Sequence, residues 1–580
     1  MSWILGVISE QISEDLLQAI SKIHHSSLHN ISTDQLYISS GGITETCLSG
    51  SFSQQMKPQE SGWVIVGLGI ERKEASCRFL NVTDWQNLLV KQKPELSQID
   101  GHFIAIRWQP GKVECFSDQL GLRTLYLSRK EKSVIFSTRL DWVANLTRNN
   151  EIDFEQFGSH WLTFNQFSYS SLIKRIDRLG PGGVAVCTPT SIVIKNSPWL
   201  PNFTSGISSK IDQTIKSLLN PEIRNDSTLS LGLSGGLDSR LLFASLIANS
   251  KKPFSLHLFG HPDEPDVKIA QRIAGDYHFD QNFFPQSNPS ITTDLSTLRE
   301  YVAKTCLTVP ASGWFKLHFY SELSKKKKIM IDGGMGELAR RRYLNRIYWK
   351  GKKKLLHGSL SDMYPYIKSH HASIFNKETI EVMERGINQQ LIAIQDEMPS
   401  VDKIGIENFL DLLIVRYRFP NYAGMDQSRI DEAIINYMPY AQPSFLQDVF
   451  RTPKHMRKSG KLFRSLIHTY QPALTNYPLV KGVTTYPYWF STLSASLYTK
   501  VKTTCGSRFH NPLSEEFLQT MKEYIYDLLI SSDVKTFSVY DQQALKLLVE
   551  EYYGGRRNLA GELDWWLSFE LWRQSMKALS

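Results

Sequence analysis

The sequence predicts two architectures in one chain, an α+β first half built of packed sheets and an α/β second half whose parallel sheet gives way to helices. Three observations carry this. Up to about Pro201, short apolar and β-branched runs recur between turn residues, as at 62–67, 101–108, 133–137 and 183–187. Beyond Pro201 a strand, a glycine turn, a helix and a second strand follow one another, which is a βαβ unit. After Glu337 the pattern turns mainly helical to the end.

Residues 1–8 read as a first β-strand, because they lack a basic leading segment and are too short for a signal peptide. Between the later strands lie helical stretches such as 83–91. The turn-rich segment Ser197-Pro198-Trp199-Leu200-Pro201-Asn202 is the expected linker, dividing domains at 1–200 and 201–580. An amphipathic helix is expected near 208–219, a strand at 228–233, a helix at 239–249 and a strand at 254–260. That order places a ligand at the carboxyl ends of parallel strands. The apolar-periodic end 563–572 reads as a core helix, with Trp565-Trp566 at a helix–helix contact.

Composition bounds the function. A chain of 580 residues implies two to four domains, and 41% hydrophobic with 21% charged residues excludes disordered, collagen-like and coiled-coil classes. The excess of 66 basic over 57 acidic residues suits an anionic substrate, yet is too dilute for a nucleic-acid footprint, so no nucleic-acid partner is expected. Six scattered cysteines carry no metal-ligand spacing and point to a reduced, cytoplasmic setting. No apolar run reaches the roughly 20 residues of a span, so no membrane partner is expected.

The chemistry concentrates in Ser234-Gly235-Gly236-Leu237-Asp238-Ser239, where a buried strand runs into a helix. Adjacent glycines let the backbone turn N–H groups toward an anion, while Ser234, Ser239 and the helix N-terminus add hydroxyls and dipole. Asp238 at the mouth has the oxygen ligands that Mg²⁺ prefers. The segment is neither GxxxxGK[ST] nor GxGxxG, so it supports neither a P-loop NTPase nor a dinucleotide fold. A plain strand–helix turn, with its glycines serving packing alone, is the competing reading.

This segment resembles the pyrophosphate loop of the ATP-pyrophosphatase enzymes, and with its flanks the chain is similar to the asparagine synthetase superfamily. Four further stretches match in order. They are Asp118-Gln119-Leu120-Gly121-Leu122-Arg123-Thr124-Leu125-Tyr126, Ile176 to Gly182, Asp332-Gly333-Gly334-Met335-Gly336-Glu337-Leu338 and Tyr437-Met438-Pro439-Tyr440. The resemblance implies an Ntn-hydrolase-like amino-terminal sandwich and an adenine-nucleotide α-hydrolase-like synthetase domain with a helical end. It also implies ATP and Mg²⁺ as cofactors.

Two departures redirect it. Glutamine-using members carry a catalytic cysteine where this chain has Ser2, and their glutamine-holding N-G-E segment is absent, the comparable region being Val66-Gly67-Leu68-Gly69-Ile70-Glu71. The first domain is therefore expected to be inactive. The family's second metal-binding Asp falls on Gly336 in the simplest register, so Asp332, or a shifted register, is expected to supply the lost ligand beside Asp238. Gly333 stands where a β-lactam synthetase would carry a tyrosine. Together with Arg340-Arg341-Arg342, the stretch most resembles lasso-peptide macrolactam synthetases.

By that resemblance Lys481 would stabilise the amide-forming step, Lys461 is its runner-up or a phosphate contact, and Glu337 would accept a proton or orient the amine. The strand 254–260 ending at Gly260 would bind adenine, while Asp266 reads as a helix N-cap. The basic clusters 325–328, 340–342 and 350–354 read equally as attraction for ATP or an acidic peptide and as solvated charge. His24-His25 and His370-His371 lack metal spacing. The expected reaction is ATP-dependent closure of a macrolactam in a precursor peptide freed of its leader, with a leader-binding protein and a leader protease as partners. Asparagine synthesis from ammonia and a catalytically dead scaffold are the alternatives.

Overall fold

The computed structural model describes residues 2–23, 27–52, 60–163, 165–203, 210–223, 227–250, 252–286, 295–340, 347–505 and 509–577. The expectations for His24-His25, Arg341-Arg342 and residues 208–209 lie outside them.

The first half stacks two antiparallel sheets. One takes the order Asp177–Leu179, Leu125–Lys130, Ser133–Ser137, Trp3–Ser9, Leu36–Gly41 and His29–Ser32. The other is centred on Gly62–Arg72 paired with Asp100–Gln109. The opening run is apolar on both strand faces because both faces are covered. Ile4 and Ile8 point between the sheets with Val66, Ile104 and Phe136, whereas Trp3, Leu5 and Val7 face a helical layer with Ile20 and Trp142. Helix Val82–Leu89 covers the second sheet through Trp85 and Leu89 against Trp63 and Phe103. The result is a four-layer helix–sheet–sheet–helix sandwich. The helix expected at 83–91 runs from Val82 to Leu89, and its capping box is made by Asn81 and Asp84.

The second half carries a five-stranded, all-parallel sheet, whose strands are β1 (Thr228–Gly232), β2 (Phe254–Gly260), β3 (Gln281–Pro285), β4 (Lys328–Ile331) and β5 (Asn436–Tyr437). Their spatial order is β3-β2-β1-β4-β5, every pair parallel. The order reverses between β1 and β4, and such a switch point opens a crevice at the strands' carboxyl ends. Helix α1 (Leu237–Asn249) follows β1, and α2 (Pro265–Asp276) follows β2. Further on, α3 (Lys461–Tyr470) and α4 (Thr492–Thr504) flank a hairpin of Leu479–Lys481 and Thr484–Tyr486. Trp566 is fully buried in the last helix, and Trp565 packs its edge on His371.

The halves share buried structure. Helix Phe154–Leu162 lies against helix Lys377–Glu397, where Gly158 and Gly386 allow backbone-to-backbone approach. Asp431 joins them electrostatically: its carboxylate accepts from His102 Nε2 at 3.0 Å and from Asn436 at 2.7 Å, and pairs with Arg123 at 2.9 Å.

Candidate functional site

The four residues between β1 and α1 turn sharply, and the turn is held from all sides. Ser234 N–H donates to Ser239 Oγ at 3.1 Å, Gly236 N–H donates to Ser234 Oγ at 3.1 Å, and the two hydroxyls lie 2.9 Å apart. Gly235 N–H donates to Asp266 at 3.0 Å. The loop N–H groups expected to face an anion are thus spent within the protein. What remains is the N-terminus of α1, where Gly236 provides no side-chain cap and first-turn N–H groups are left for water or a ligand.

Asp266 is not the N-cap that its position suggested. Glu264 holds that position, Pro265 begins α2, and Asp266 reaches across to the loop. Its carboxyl is pushed up to about 6, chiefly by burial and then by Glu264, against the Gly235 N–H that favours the charged form.

A cavity of about 560 Å³ opens at the switch point, within the usual range of small-molecule sites of about 300–1,000 Å³. It gathers Ser234, Gly236, Asp238 and Ser239 from the loop, Gly260 from the end of β2, and Asp332 from the end of β4. Gly260 holds φ +143°, and a Cβ there would meet Glu264 and Val267 at 2.8 Å. Gly333 backs onto α1, where a Cβ would stand 3.0 Å from the Ser239 nitrogen, so the position excludes a tyrosine. His257 also lines the cavity, kept neutral by burial with its pKa near 4. Lys316 is the one lysine or arginine in the described lining; it approaches the Phe259 ring at 5.8 Å and acts electrostatically on Asp332. Its sequence surroundings offer no motif.

Asp238 and Arg340 form the wall. Arg340 donates to Asp238 Oδ2 at 2.5 Å, and a Cβ on Gly336 would come 2.6 Å from the Asp238 carboxyl carbon. Gly336 therefore faces Asp238 directly, and a guanidinium holds the carboxylate. Asp332 turns its carboxylate onto the Gly334 N–H at 2.6 Å, and burial raises its pKa. Among the described residues no group of three or more His, Cys, Asp or Glu side chains could hold a metal. The two expected Mg²⁺ ligands are held by protein groups here, Asp238 by Arg340 and Asp332 by the Gly334 N–H.

Beyond that wall lies a small cavity of about 30 Å³ shared by Arg340, Lys481, Arg464, Ser459 and Gly460. Lys481 donates to Ser496 Oγ at 2.5 Å. Glu337, on a short 3-10 turn beside Arg340, lines neither cavity but acts electrostatically on both Arg340 and Asp332. Lys461 is exposed at the start of α3 and lines neither cavity. The structure thus joins Lys481 to the loop through Arg340 and leaves Lys461 apart.

Arg240 is the residue that the sequence reading missed. Fully buried just after the loop, it donates to the carbonyls of Gly235 (3.1 Å), Tyr477 (2.8 Å), Pro478 (2.7 Å) and Leu474 (3.3 Å), tying the loop to the segment that leads into Lys481. Burial lowers its pKa to about 10. An arginine directly after the motif was the available signal. Val480 packs on Gly235, where a Cβ would meet it at 2.7 Å, and Tyr440 donates to the Asp238 carbonyl at 3.0 Å.

In the sandwich, Ser2 has no exposed surface. Its hydroxyl donates to the Asp431 carbonyl at 3.0 Å and contacts Thr46 Oγ1, and Gly42 closes over it.

No protein-family model matches the chain, and no curated protein matches it. Among solved structures, the chain is similar to a glutamine phosphoribosylpyrophosphate amidotransferase from B. subtilis complexed with ADP and GMP, at 10% identity and TM-score 0.22 over 58% of this chain and 77% of that one. An allosteric regulatory enzyme of purine biosynthesis is similar at 11% identity and TM-score 0.22, over 58% and 76%. A U34-tRNA thiolase, NcsA from Methanococcus maripaludis, with its 4Fe-4S cluster, is similar at 13% and TM-score 0.18, over 35% and 76%. With TM-scores this low, the functional reading rests on the chain's own geometry.

Proposed function

We propose that this chain is an ATP-dependent amide ligase that activates a carboxylate as an acyl-adenylate and passes the acyl group to an amine. The observation that carries the reading is the Ser234–Ser239 turn at the switch-point cavity, with an uncapped helix N-terminus and Lys316 on its lining. In the first step a carboxylate oxygen attacks the α-phosphorus of ATP and pyrophosphate leaves. The α1 N-terminus and Lys316 are placed to meet the phosphate charge. In the second step the amine attacks the acyl carbon, AMP leaves, and a proton is lost from nitrogen. Arg340 and Lys481 are the cations behind Asp238 for the charge that develops there, and Glu337 is the nearby carboxylate. Mg²⁺ that enters with ATP is part of the substrate.

The finer reading is macrolactam closure, joining the N-terminal amine of a leader-freed core peptide to an Asp or Glu side chain, with a leader-binding protein and a protease supplying that peptide. The sealed Ser2 favours a substrate that brings its own amine over glutamine as the donor. The Gly336 departure favours a second reading, a scaffold without activity.

Mass spectrometry of core peptides incubated with the protein, Mg²⁺ and ATP tests the finer reading, with an aspartate-plus-ammonia control. Loss of one water with AMP release, abolished in Asp238→Ala, is expected. Asparagine from the control without peptide dehydration would replace the peptide substrate. Absence of ATP–pyrophosphate exchange with every carboxylate would establish the scaffold.

A further inference from the structure

Helix α4 is turned inside out for a surface helix. Its inner face carries small residues: Thr492 and Ala495 line the cavity of Lys481, Ser496 bonds that lysine, and Thr499 is buried. Its large apolar side chains face out. Leu493, Leu497 and Val501, four residues apart on one face, are 64–70% exposed, and Trp489, three residues before the helix begins, is 61% exposed. Val483 in the neighbouring hairpin and Tyr498 on the helix are also exposed. Soluble chains scatter exposed apolar residues singly, and a continuous ridge of them marks a contact surface.

The chain segment that carries the ridge has charge of one sign. No Asp or Glu occurs between Asp448 and Glu515, while that stretch carries ten Lys and Arg. Lys454 and Lys458 face Glu407 at 3.3 and 3.5 Å, whereas Lys461 and Lys500 are exposed and show no ion pair among the described residues. The ridge is also continuous with the chemistry, because a single helix separates it from Lys481 and Arg340.

We propose that this ridge docks an acidic, apolar stretch of the peptide substrate and holds it along α4 while its reacting carboxylate lies in the switch-point cavity. Apolar side chains would cover Leu493, Leu497 and Trp489, and acidic ones would meet the basic surround. This rests on the proposed peptide ligase activity for the identity of the occupant.

The test uses fluorescein-labelled synthetic peptides of equal length, one of Leu and Glu, one of Leu and Lys, and one of Ser and Glu, titrated with the full chain without ATP and read by anisotropy. Phosphatidylglycerol vesicles and sedimentation of the protein alone run in parallel. The Leu–Glu peptide is expected to bind best, with affinity falling about ten-fold or more in Leu497→Glu and in Leu493→Asp, and recovering in Leu497→Met. Circular dichroism and thermal melting should leave these exposed-site variants at wild-type values. Equal binding of the Leu–Lys peptide, or no loss in the variants, overturns the proposal. Vesicle binding that the variants abolish, without Leu–Glu binding, makes the ridge a lipid contact. A dimer that they dissolve makes it a self-association face. Because the titration needs neither ATP nor Asp238, a failed ligase reading shows separately, as absent pyrophosphate exchange with peptide binding intact.

Discussion

Gly336 decides what Asp238 can do. With no side chain at 336, the Asp238 carboxyl fills the space and meets Arg340 instead of a second acid. Gly336→Ala should push Asp238 off that bond, with pyrophosphate exchange down about ten-fold or more and stability reduced by about 1–3 kcal/mol by overpacking, read by exchange assay and melting. Lys316→Ala should raise the KM for ATP about ten-fold, and Lys316→Arg should recover most of it. Asp266 makes a signed pH prediction. Its pKa near 6 lies above the ordinary carboxylate value, so between about pH 4 and 6 the folded state binds the extra proton, and ionising the group above that range costs stability. The melting temperature of Asp266→Asn, relative to wild type, should therefore rise by about 1–3 °C from pH 4.5 to pH 7, and a fall would contradict this assignment.

At the scale of elements, two pieces distant in sequence act as one. The loop before α1 and the hairpin carrying Lys481 are more than two hundred residues apart, yet Arg240 donates to carbonyls of the loop and of the segment just before the hairpin, and Val480 rests on Gly235. Arg240→Met strands buried carbonyls on both sides. It should cost about 3 kcal/mol and expose the hairpin to limited proteolysis, whereas a purely local role would leave the cleavage pattern unchanged. The parallel order β3-β2-β1-β4-β5 sets the rest, because β1 and β4 deliver Ser234 and Asp332 to the same crevice.

At the scale of the molecule, the sandwich is tied to the parallel-sheet half through a buried charge. Asp431 sits among Arg123, His102 and Asn436, so Asp431→Ala leaves Arg123 in the interior without that partner and should cost about 3–5 kcal/mol in a melting experiment. The same residue's carbonyl holds the Ser2 hydroxyl. Ser2→Cys should gain no glutaminase activity, measured as glutamate release, and Ser2→Ala should leave pyrophosphate exchange at the wild-type rate. Glutamate release by the cysteine variant would show that the sandwich still admits glutamine.

The sequence by itself determined the elements and the loop. Short apolar and β-branched runs between turn residues made strands, the Ser-Gly-Gly turn between β1 and α1 was readable from glycine and hydroxyl chemistry, and strand β2 falls at Phe254–Gly260 as its pattern requires. These features are local, encoded in neighbouring residues. The tertiary structure alone decided the partners. Asp266 reads as a cap from its helix position, yet it binds Gly235, and the loop N–H groups that glycine geometry offers to an anion are taken by protein oxygens. Arg340 reads as part of a basic cluster for an anionic ligand or for solvent, yet it closes on Asp238, while Lys316 carries no motif. Hydrogen bonds and buried charges are settled by whichever groups the packing brings within about 3 Å, and that choice spans hundreds of residues of chain that no local pattern records.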